Sequence, residues 1–513
     1  MSNPRQNKAK LLARMRQTVL AILLLVGMPT IVLAHAKLIR SQPKAKETLA
    51  QPPKLIELWF TEELEPGLNT IEVKDQQGNR VDRGQVTLSE GNKKAQIELA
   101  ELQPGLYTVV WKSLSADDHV IRGRFRFSVV ASSAPSSATP ATAQVITTPT
   151  PIPEMTTEED QGEQISSVQV LVRWFSYLAM MMLFGGFAFR LLVVAPALRR
   201  ALDGPERAKA AAASERRALL ISWLSVALLA AMSLVALVLQ ASAVFDKSLG
   251  ESLSPSLLAR VLATGYGGSW ILQVVSLVAI GVILLLLSRR VKRQPASEHS
   301  ALWLAGLLAG AVLLIAPSWT GHAVASSKDF RLAVLTDWLH LLAGGCWVGG
   351  LFHLALTLPP ALPFVSKARR AITLSHVIKL FTRVAMPSVA LLVLAGLYNT
   401  WAHIPSISAL WITPYGKTLA VKLAFVGVML LLGGINNFHF GKRAARLLKA
   451  RKDVDGAERA KLERGFRRSV ALEAGVGVVV LLVTAVLVFL TPARNHPAMS
   501  PNDTQSTVLS DQR

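Results

Sequence analysis

The sequence contains a single cysteine, Cys346, among 513 residues. A disulfide framework and a cysteine-based metal cluster each need several thiols, so both are excluded. The sequence also has no G-x-x-x-x-G-K-[ST] phosphate loop and no D-K-T-G phosphorylation motif. Because the first of these motifs is the loop that cradles nucleotide phosphates, ATP is not expected as a partner.

Acidic residues are scarce: 33 Asp and Glu stand against 55 Lys and Arg, which gives a net charge of +22. Nucleic-acid-binding proteins carry such a surplus, but no basic patch with interleaved aromatic residues is present. The Lys and Arg residues concentrate instead in every second segment between the apolar runs. The segments 196–217, 289–300, 357–383 and 439–469 contain 6, 4, 5 and 11 of them. The segments 246–268, 319–333, 404–417 and 491–513 contain only 2, 2, 1 and 2. This is the positive-inside pattern of a membrane protein, so no nucleic acid is needed to explain the charge.

Long apolar runs fill the chain after residue 167. A helix needs roughly 20 apolar residues to cross the hydrocarbon core of a bilayer. Eight runs meet this length, near 168–196, 218–245, 269–288, 301–318, 334–356, 384–403, 418–438 and 470–490. We therefore expect an all-α domain of eight transmembrane helices at 167–491, in the inner membrane of a bacterium. The basic loops would face the cytoplasm, and a disordered tail, 492–513, would lie outside.

The first residues have the layout of a secretory signal. Basic residues from Arg5 to Arg16 precede an apolar run that ends at Val32-Leu33-Ala34. Small side chains at the minus-three and minus-one positions predict cleavage after Ala34. Residues 1–34 are thus expected to be a signal peptide, and His35 the first residue of the mature protein.

Residues 35–130 alternate between polar and apolar residues in short runs separated by turn sequences. This period of two predicts half-buried antiparallel strands in a small β-sandwich of the Greek-key or Ig-like kind. Residues 131–166 are rich in Ala, Ser, Thr and Pro and are expected to form a flexible linker.

The predicted sandwich contains only two histidines, His35 and His119. Cleavage after Ala34 would give His35 a free amine beside its imidazole. Asp117 and His119 are two residues apart, so in an extended segment their side chains share one face. Nitrogens from His35 and His119 with a carboxylate oxygen from Asp117 suit tetragonal Cu(II).

These residues resemble the CopC family of periplasmic copper-binding proteins over essentially the whole of 35–130. The initial His-Ala, a Ser-x-Pro, a Pro-Pro before a strand, Phe-Thr-Glu and Ser-Ala-Asp-x-His-x-x-x-Gly occur in order. The resemblance implies a β-sandwich that binds Cu(II) through His35, Asp117 and His119. A methionine-rich Cu(I) site, found in some CopC proteins, is not expected, because 35–130 contain no methionine. Glu62 and Glu65 are candidates to orient the Cu(II) ligands, but we interpret them as solvated carboxylates at a strand end.

Residues from about 168 to 490 resemble the CopD family of inner-membrane copper proteins. The resemblance rests on WTGHA at 319–323, TDWLHLLAGGCWVGGLFHL at 336–354, YGKTLAVKLAFVGVMLLLGGINNF at 415–438 and shorter stretches. It implies a fusion of a CopC part and a CopD part.

Ionisable side chains at membrane depth are costly and usually face a cavity or a partner. Asp337 and His340 are three residues apart, on one face of the fifth helix. His322 lies in the loop before that helix, and His403 lies at the outer end of the sixth helix. We interpret these four residues as a copper path on the outer side.

Two further residues are candidates for this path. His353 follows His340 by 13 residues, about 20 Å along a helix, and would serve an exit site near the inner surface. Met180 offers a thioether that would hold Cu(I) in transit, although methionine is also a common packing residue. Glu473 and Lys422 are interpreted as reaching the lipid headgroups and receive no role.

Three functions are compatible with these residues. The favoured one is copper transfer into or across the membrane, for homeostasis or resistance, with periplasmic copper carriers or a reductase as further partners and no enzymatic activity. The second is a histidine-brace copper oxidase or monooxygenase, but Asp117 would fill a position that oxygen needs. The third is a membrane haem protein, which needs a second pair of histidines on one helix to match His340 and His353; His403 and His439 lie on different helices, at opposite ends.

We expect the mature protein to begin at His35, because the proposed Cu(II) chelate needs a free amine on that residue. Sequencing the N-terminus of the purified protein measures this directly. A protein that retains Ala34 would lack the amine and would contradict the proposed ligand set.

Overall fold

The computed structural model of the protein describes residues 38–115, 120–130, 166–294, 299–319, 330–441, 456–490 and 493. Four predicted ligands lie outside the described residues: His35, Asp117, His119 and His322. The predicted signal peptide, residues 131–165 of the predicted linker and nearly all of the predicted tail also lie outside them.

The described residues before 131 form a sandwich of two four-stranded sheets, ordered β1-β3-β6-β5 and β2-β8-β7-β4. This confirms the predicted all-β sandwich. The strands are β1 (Leu38–Gln42), β2 (Thr48–Leu49), β3 (Leu55–Phe60), β4 (Thr70–Lys74), β5 (Asp82–Ser89), β6 (Lys94–Leu99), β7 (Gly105–Leu114) and β8 (Val120–Val129). One pairing departs from the antiparallel expectation, because the two-residue β2 runs parallel to β8.

The core of the sandwich follows from the period of two in its strands. In β3 the side chains of Ile56, Leu58 and Phe60 are 0%, 0% and 2% exposed, and the residues between them face outward. Side chains of this kind from both sheets fill the space between them. The burial of this apolar surface is the main force that holds the two sheets together.

The glycine of the Asp-x-His-x-x-x-Gly pattern is part of this packing. Gly123 in β8 lies opposite Trp111 in β7. A Cβ atom at position 123 would lie 2.6 Å from the Trp111 indole ring, so only glycine leaves room for it. The indole in turn packs edge-on against Phe60, with ring centroids 5.1 Å apart. Gly123 therefore fixes the contact between β8 and the last residue of β3.

In the part of the chain that the structure describes, eight helices are long and apolar enough to cross a membrane, which confirms the predicted number. They are α1 (Ser167–Ala201), α2 (Gly204–Phe245), α3 (Gly265–Arg293), α4 (Ser300–Trp319), α5 (Arg331–Leu356), α6 (Lys367–Trp401), α7 (Pro414–Phe440) and α8 (Lys461–Leu487). Several extend beyond the apolar runs at their basic ends. The start of α2 is rich in Ala, Glu, Arg and Lys, which are good helix formers, so the helix continues where the apolar run stops.

The helices α1 and α5 cross in close contact at glycines. A Cβ atom on Gly185 of α1 would lie 2.5 Å from the Cα atom of Gly349 in α5. A Cβ atom on Gly345 would likewise lie 2.5 Å from the Phe184 ring. Small residues of this kind let helix backbones approach closely within a membrane. The crossing places α5 against the most buried helix of the bundle, α1.

The sandwich contacts the bundle where α2 ends and α3 begins. We call this the sandwich end of the bundle. Because the helices alternate in direction, α1, α3, α5 and α7 begin at the sandwich end, and the others begin at the opposite end.

Replacement of Gly123 by alanine should destabilise the sandwich by about 1–3 kcal/mol, since the added methyl group displaces the Trp111 indole. Urea unfolding of residues 35–130, followed by tryptophan fluorescence, measures this loss. Gly105→Ala is the matched control on β7, because its Cβ atom would meet only an ordinary contact at 3.9 Å. Equal stability of the two variants would contradict the packing role of Gly123.

Candidate functional site

The strand frame brings together the chain segments that carry the predicted copper ligands. β1 begins at Leu38, whose partner in β3 is Phe60. Two residues beyond Phe60, the Glu62 carboxylate accepts a hydrogen bond of 3.2 Å from the Ser115 hydroxyl. Ser115 is the last described residue before 116–119. One sandwich edge thus holds the ends of two segments that are far apart in sequence.

The predicted ligands are attached to this edge by short lengths of chain. His35 precedes Leu38 by three residues, which span at most about 10 Å. Asp117 follows Ser115 by two residues, and His119 directly precedes Val120. All three ligands are therefore attached within a short reach of the Glu62 carboxylate.

Glu62 is buried, with 3% of its surface exposed, so its interpretation as a solvated carboxylate is wrong. A buried carboxylate needs polar partners, and the Ser115 hydroxyl is one of them. The period of two in β3 contained this signal, because Ile56, Leu58 and Phe60 face inward and Glu62 is the next residue in that series. Glu62 lies beside Ser115, two residues before Asp117 in the sequence, where a carboxylate can orient or bind a cation.

Within the bundle, Asp337 and His340 lie about 9 and 14 Å along α5 from its beginning at Arg331. Both side chains are half-buried. The Ser318 side chain at the end of α4 lies close to the Asp337 carboxylate, and its hydroxyl donates a hydrogen bond of 3.4 Å to the Leu314 carbonyl. His340 Nδ1 has no hydrogen-bond partner among the described residues, so this nitrogen remains available to a ligand.

A lysine of α7 compensates the charge of Asp337. Lys422 lies about 12 Å from the start of α7 at Pro414, and its ammonium attracts the Asp337 carboxylate. The hydroxyl groups of Tyr177 in α1 and Tyr415 in α7 also lie within electrostatic range of that carboxylate. We call the group of Asp337, His340, Lys422, Tyr177 and Tyr415 the Asp337 cluster.

The sequence alone assigns Lys422 no role, although its depth in α7 indicates a partner. Asp337 and Lys422 lie six and eight residues into helices that start at the same end of the bundle. Opposite charges at like depth stabilise each other where water is scarce. Comparing the depths of ionisable residues across helices would have paired them.

His403 belongs to the same region. It is the last residue of the helix that contains α6, and it is buried. Its Nδ1–H donates a hydrogen bond of 2.7 Å to the Asn399 carbonyl, which leaves the lone pair on Nε2. The His403 ring lies 6.1 Å from the Tyr415 ring. Tyr415 thus links His403 to the Asp337 cluster.

Met180 lines a cavity of about 90 Å³ between α1, α2 and α3, near the sandwich end. Polar side chains make up much of the wall, among them Gln169, Arg173, Ser176, Tyr177, Gln240 and Gln273. Tyr177 belongs to both the cavity wall and the Asp337 cluster. The cavity and the cluster are therefore neighbours.

His353 lies apart from these residues, near the opposite end of α5. It is fully buried, and its Nε2–H donates to the Met182 carbonyl at 2.8 Å. A Cβ atom on Gly186 would lie 2.7 Å from Nε2 of this ring, and the Phe189 ring lies 6.3 Å away. With its ring enclosed by α1, His353 has no room beside it for a haem group.

A second buried carboxylate escaped the sequence analysis. Glu473 in α8 is 1% exposed and accepts a hydrogen bond of 2.6 Å from the Asn436 amide in α7. The interpretation that Glu473 reaches the lipid headgroups is wrong, because α7 covers this side chain. The side-chain amide of Asn436 supplies the polar partner that such burial demands.

Among the described residues, no group of three or more His, Cys, Asp and Glu side chains is close enough to hold a metal ion. The Asp337 cluster offers one carboxylate, one imidazole and a competing ammonium. A cation that binds there competes with the attraction between Lys422 and Asp337. Such a site suits transient passage better than permanent retention.

Models of three protein families match separate parts of the chain. A model described as "CopC domain" matches residues 38–130. A model described as "Copper resistance protein D-like, N-terminal domain" matches 163–329, and one described as "Copper resistance protein D" matches 375–487. All of α5, with Asp337, His340 and His353, lies between the last two matches.

Two curated relatives cover large parts of the chain. The copper transport protein CutJ of Bacillus subtilis (strain 168) is 27% identical over 492 residues, which are 95% of this chain and 80% of that protein. Copper resistance protein D of Pseudomonas syringae pv. tomato is 31% identical over 327 residues, which are 63% of this chain and 97% of that protein. Among solved structures, CopC from Methylosinus trichosporium OB3b is 29% identical and covers 20% of this chain and 98% of its own, with a TM-score of 0.19.

The pairing of Asp337 with Lys422 predicts a non-additive double mutant. Asp337→Asn and Lys422→Met should each lower the thermal stability of the detergent-solubilised protein, because each leaves an uncompensated charge inside the bundle. The double variant should regain at least about 1 kcal/mol of the summed loss.

Lys417→Met is the matched control for this cycle, because Lys417 lies in the same helix and is exposed. It should leave the stability of both the parent and the Asp337→Asn variant unchanged. Additive losses for Asp337→Asn and Lys422→Met would show that the two charges do not compensate each other.

Proposed function

The chain belongs to the copper resistance protein D family, and from this premise we propose that it captures Cu(II) outside the inner membrane and passes copper to its membrane helices for uptake. The sandwich would capture the ion, and the Asp337 cluster would receive it. The relatives are named as copper transport and copper resistance proteins, and a function in copper handling follows from the family. The route and its residues are our proposal.

Capture would use His35, Asp117 and His119. A terminal amine, two imidazoles and a carboxylate are hard and borderline ligands, which suit Cu(II) better than the soft Cu(I). The observation that carries this proposal is the position of Glu62, which follows Phe60, the partner of Leu38, by two residues and accepts a hydrogen bond from Ser115. Its negative charge would favour the bound cation and keep the ligands oriented.

Affinity for Cu(II) would depend on pH through the amine of His35. An α-amine has a reference pKa of about 8 and must lose its proton to bind a metal. Below that pH, protons compete with copper for this nitrogen. The sandwich would therefore bind copper more weakly as the periplasm acidifies.

Reception would use His340 and Asp337, with His403 near them; His322, in the segment before α5, would be a further ligand. An ionisable group at membrane depth is expensive unless it has a function or a partner. Lys422 supplies the partner while no copper is bound, and an arriving cation would replace it. This exchange keeps the bundle close to electroneutral with and without copper, which lowers the barrier to release.

Further transit toward the cytoplasm would occur as Cu(I). Met180 supplies a thioether, which favours the reduced ion. His353 would act as a late ligand through Nδ1, which has no hydrogen-bond partner among the described residues. A reductase or a periplasmic copper carrier would be an external partner, and the protein itself would not be an enzyme.

The proposed orientation follows the charge of the loops. The basic loops join helices at the end opposite the sandwich, and the positive-inside rule assigns that end to the cytoplasm. The sandwich and the C-terminus would then face the periplasm, where copper arrives.

Replacement of His340 by alanine should lower the initial rate of copper uptake at least about tenfold, since a ligand of the proposed path is lost. The measurement uses the full-length protein in proteoliposomes, with copper and a mild reductant outside and a Cu(I) indicator inside. His119→Ala should act differently, raising the copper concentration for half-maximal uptake with little effect on the maximal rate.

His439→Ala is the matched control, because His439 is an exposed histidine at the opposite end of the bundle. It should transport copper like the parent. Unchanged uptake by His340→Ala would overturn the proposed route, and parent-like uptake by protein-free liposomes would overturn the proposed function.

A further inference from the structure

We propose that Asp246 at the end of α2 is a docking clamp that holds the ends of β7 and β8, which flank the ligand loop (residues 115–119), at the rim of the cavity between α1, α2 and α3, so that copper is transferred while the sandwich stays docked. This inference rests on the proposed function and adds to it the surface and the route of transfer.

The clamp joins one carboxylate to two cations. The Asp246 carboxylate lies 2.5 Å from Lys112 Nζ and 3.1 Å from Arg122 Nη2. Lys112 in β7 and Arg122 in β8 are cross-strand partners, and like charges directly opposite each other destabilise a sheet. Asp246 relieves this repulsion from the bundle side. The sandwich therefore presents a pair of cations that favours an acidic partner at this place.

Asp246 is held in a special backbone conformation. It caps the C-terminus of α2 with φ at 51°, in the left-handed region that residues other than glycine seldom adopt. Asp and Asn tolerate this region better than most side chains. The helix thus ends on an acidic residue at the point of contact with Lys112 and Arg122.

An apolar contact lies beside the clamp. Leu114 and Val120, which flank residues 115–119, are 1% and 4% exposed and pack with Val244 of α2. Leu68 of the sandwich and Ala243 of α2 pack against the same cluster. Both ends of the ligand loop are therefore anchored on α2, and burial of this surface from water favours the docked arrangement.

Two polar contacts reach the helices beyond α2. Glu65 Oε1 accepts a hydrogen bond of 3.0 Å from the backbone N–H of Gly265, at the start of α3. A carboxylate at a helix N-terminus is favoured by the helix dipole. Arg260, in the short helix before α3, donates a hydrogen bond of 3.4 Å to the Gly67 carbonyl. With contacts on both sides of the α2–α3 connection, the sandwich cannot pivot freely about Asp246.

The docked edge lies at the rim of the cavity. Tyr266 follows the docking residue Gly265 directly, and Gln240 precedes Asp246 by six residues; both line the cavity. The cavity wall continues to Met180 and to Tyr177, which is part of the Asp337 cluster. The polar cavity therefore connects the docking contact to the residues proposed to receive copper.

Charge reversal at Asp246 tests the clamp in the full-length protein. Asp246→Lys should repel Lys112 and Arg122, and we expect a roughly tenfold lower initial rate of uptake at limiting copper, which equals about 1.4 kcal/mol of lost docking. Glu98→Lys is the matched charge control, because Glu98 is an exposed residue of β6 in the other sheet. It should transport copper like the parent. Cu(II) affinity should stay unchanged in both variants, because no proposed ligand is altered.

A cross-link measures docking independently of transport. In a Cys346→Ser background, Leu68→Cys and Ala243→Cys introduce two thiols into one packed cluster, and a short bis-maleimide should join them. Asp246→Lys should abolish the cross-link. Combining it with Lys112→Asp and Arg122→Asp restores complementary charges and should restore both the cross-link and the uptake.

The outcomes separate this inference from the proposed function. Loss of the cross-link with parent-like uptake would overturn transfer from a docked sandwich and leave the proposed function standing. An intact cross-link in Asp246→Lys would overturn the clamp itself. Absence of uptake by the parent protein would overturn the proposed function, and the cross-link would still report whether Asp246 holds the sandwich.

Discussion

The close crossing of α1 and α5 is the constraint on which the membrane half depends. Gly185, Gly345 and Gly349 remove the side chains that would otherwise separate the two helices. Because α5 carries Asp337, His340 and His353, the crossing decides which helix faces these side chains meet. It places Tyr177 near Asp337 at one end, and it encloses His353 against Gly186 and Met182 at the other. The crossing thus separates the polar, accessible region around Asp337 from the packed region around His353.

Charge compensation is a theme common to both halves of the protein. In the bundle, Lys422 balances Asp337; at the docking surface, Asp246 balances Lys112 and Arg122. In each arrangement, a charged side chain has a partner that it can exchange for another ion or release. A protein that handles a charged cargo in a medium of low polarity benefits from such pairs, because an unpaired charge there is costly and a permanent cation site would retain its copper.

The positions of Glu62, Lys422 and Asp246 show how far sequence patterns reach. The burial of Glu62 follows from the alternation of β3, and the attraction between Lys422 and Asp337 follows from their similar depth in α7 and α5. Both can be derived from residue positions in the sequence. Asp246 gave no such signal, because an acidic residue just after a long apolar helix is ordinary in sequence. Its role depends on two cross-strand cations that are more than a hundred residues away. Glu473 is similar, because its amide partner Asn436 belongs to another helix.

The sequence by itself determined the two-part architecture, the eight spans and the residue types suited to copper. These follow from local physics: apolar runs long enough to cross a bilayer, a period of two in the strands, and a cluster of histidine and aspartate near one junction. Only the tertiary structure decided which ionisable groups compensate one another, where the sandwich rests on the bundle and which cavity lies beneath it. Such pairings depend on the relative rotation and depth of separate elements. Close packing between them sets that geometry, and no short window of sequence contains it.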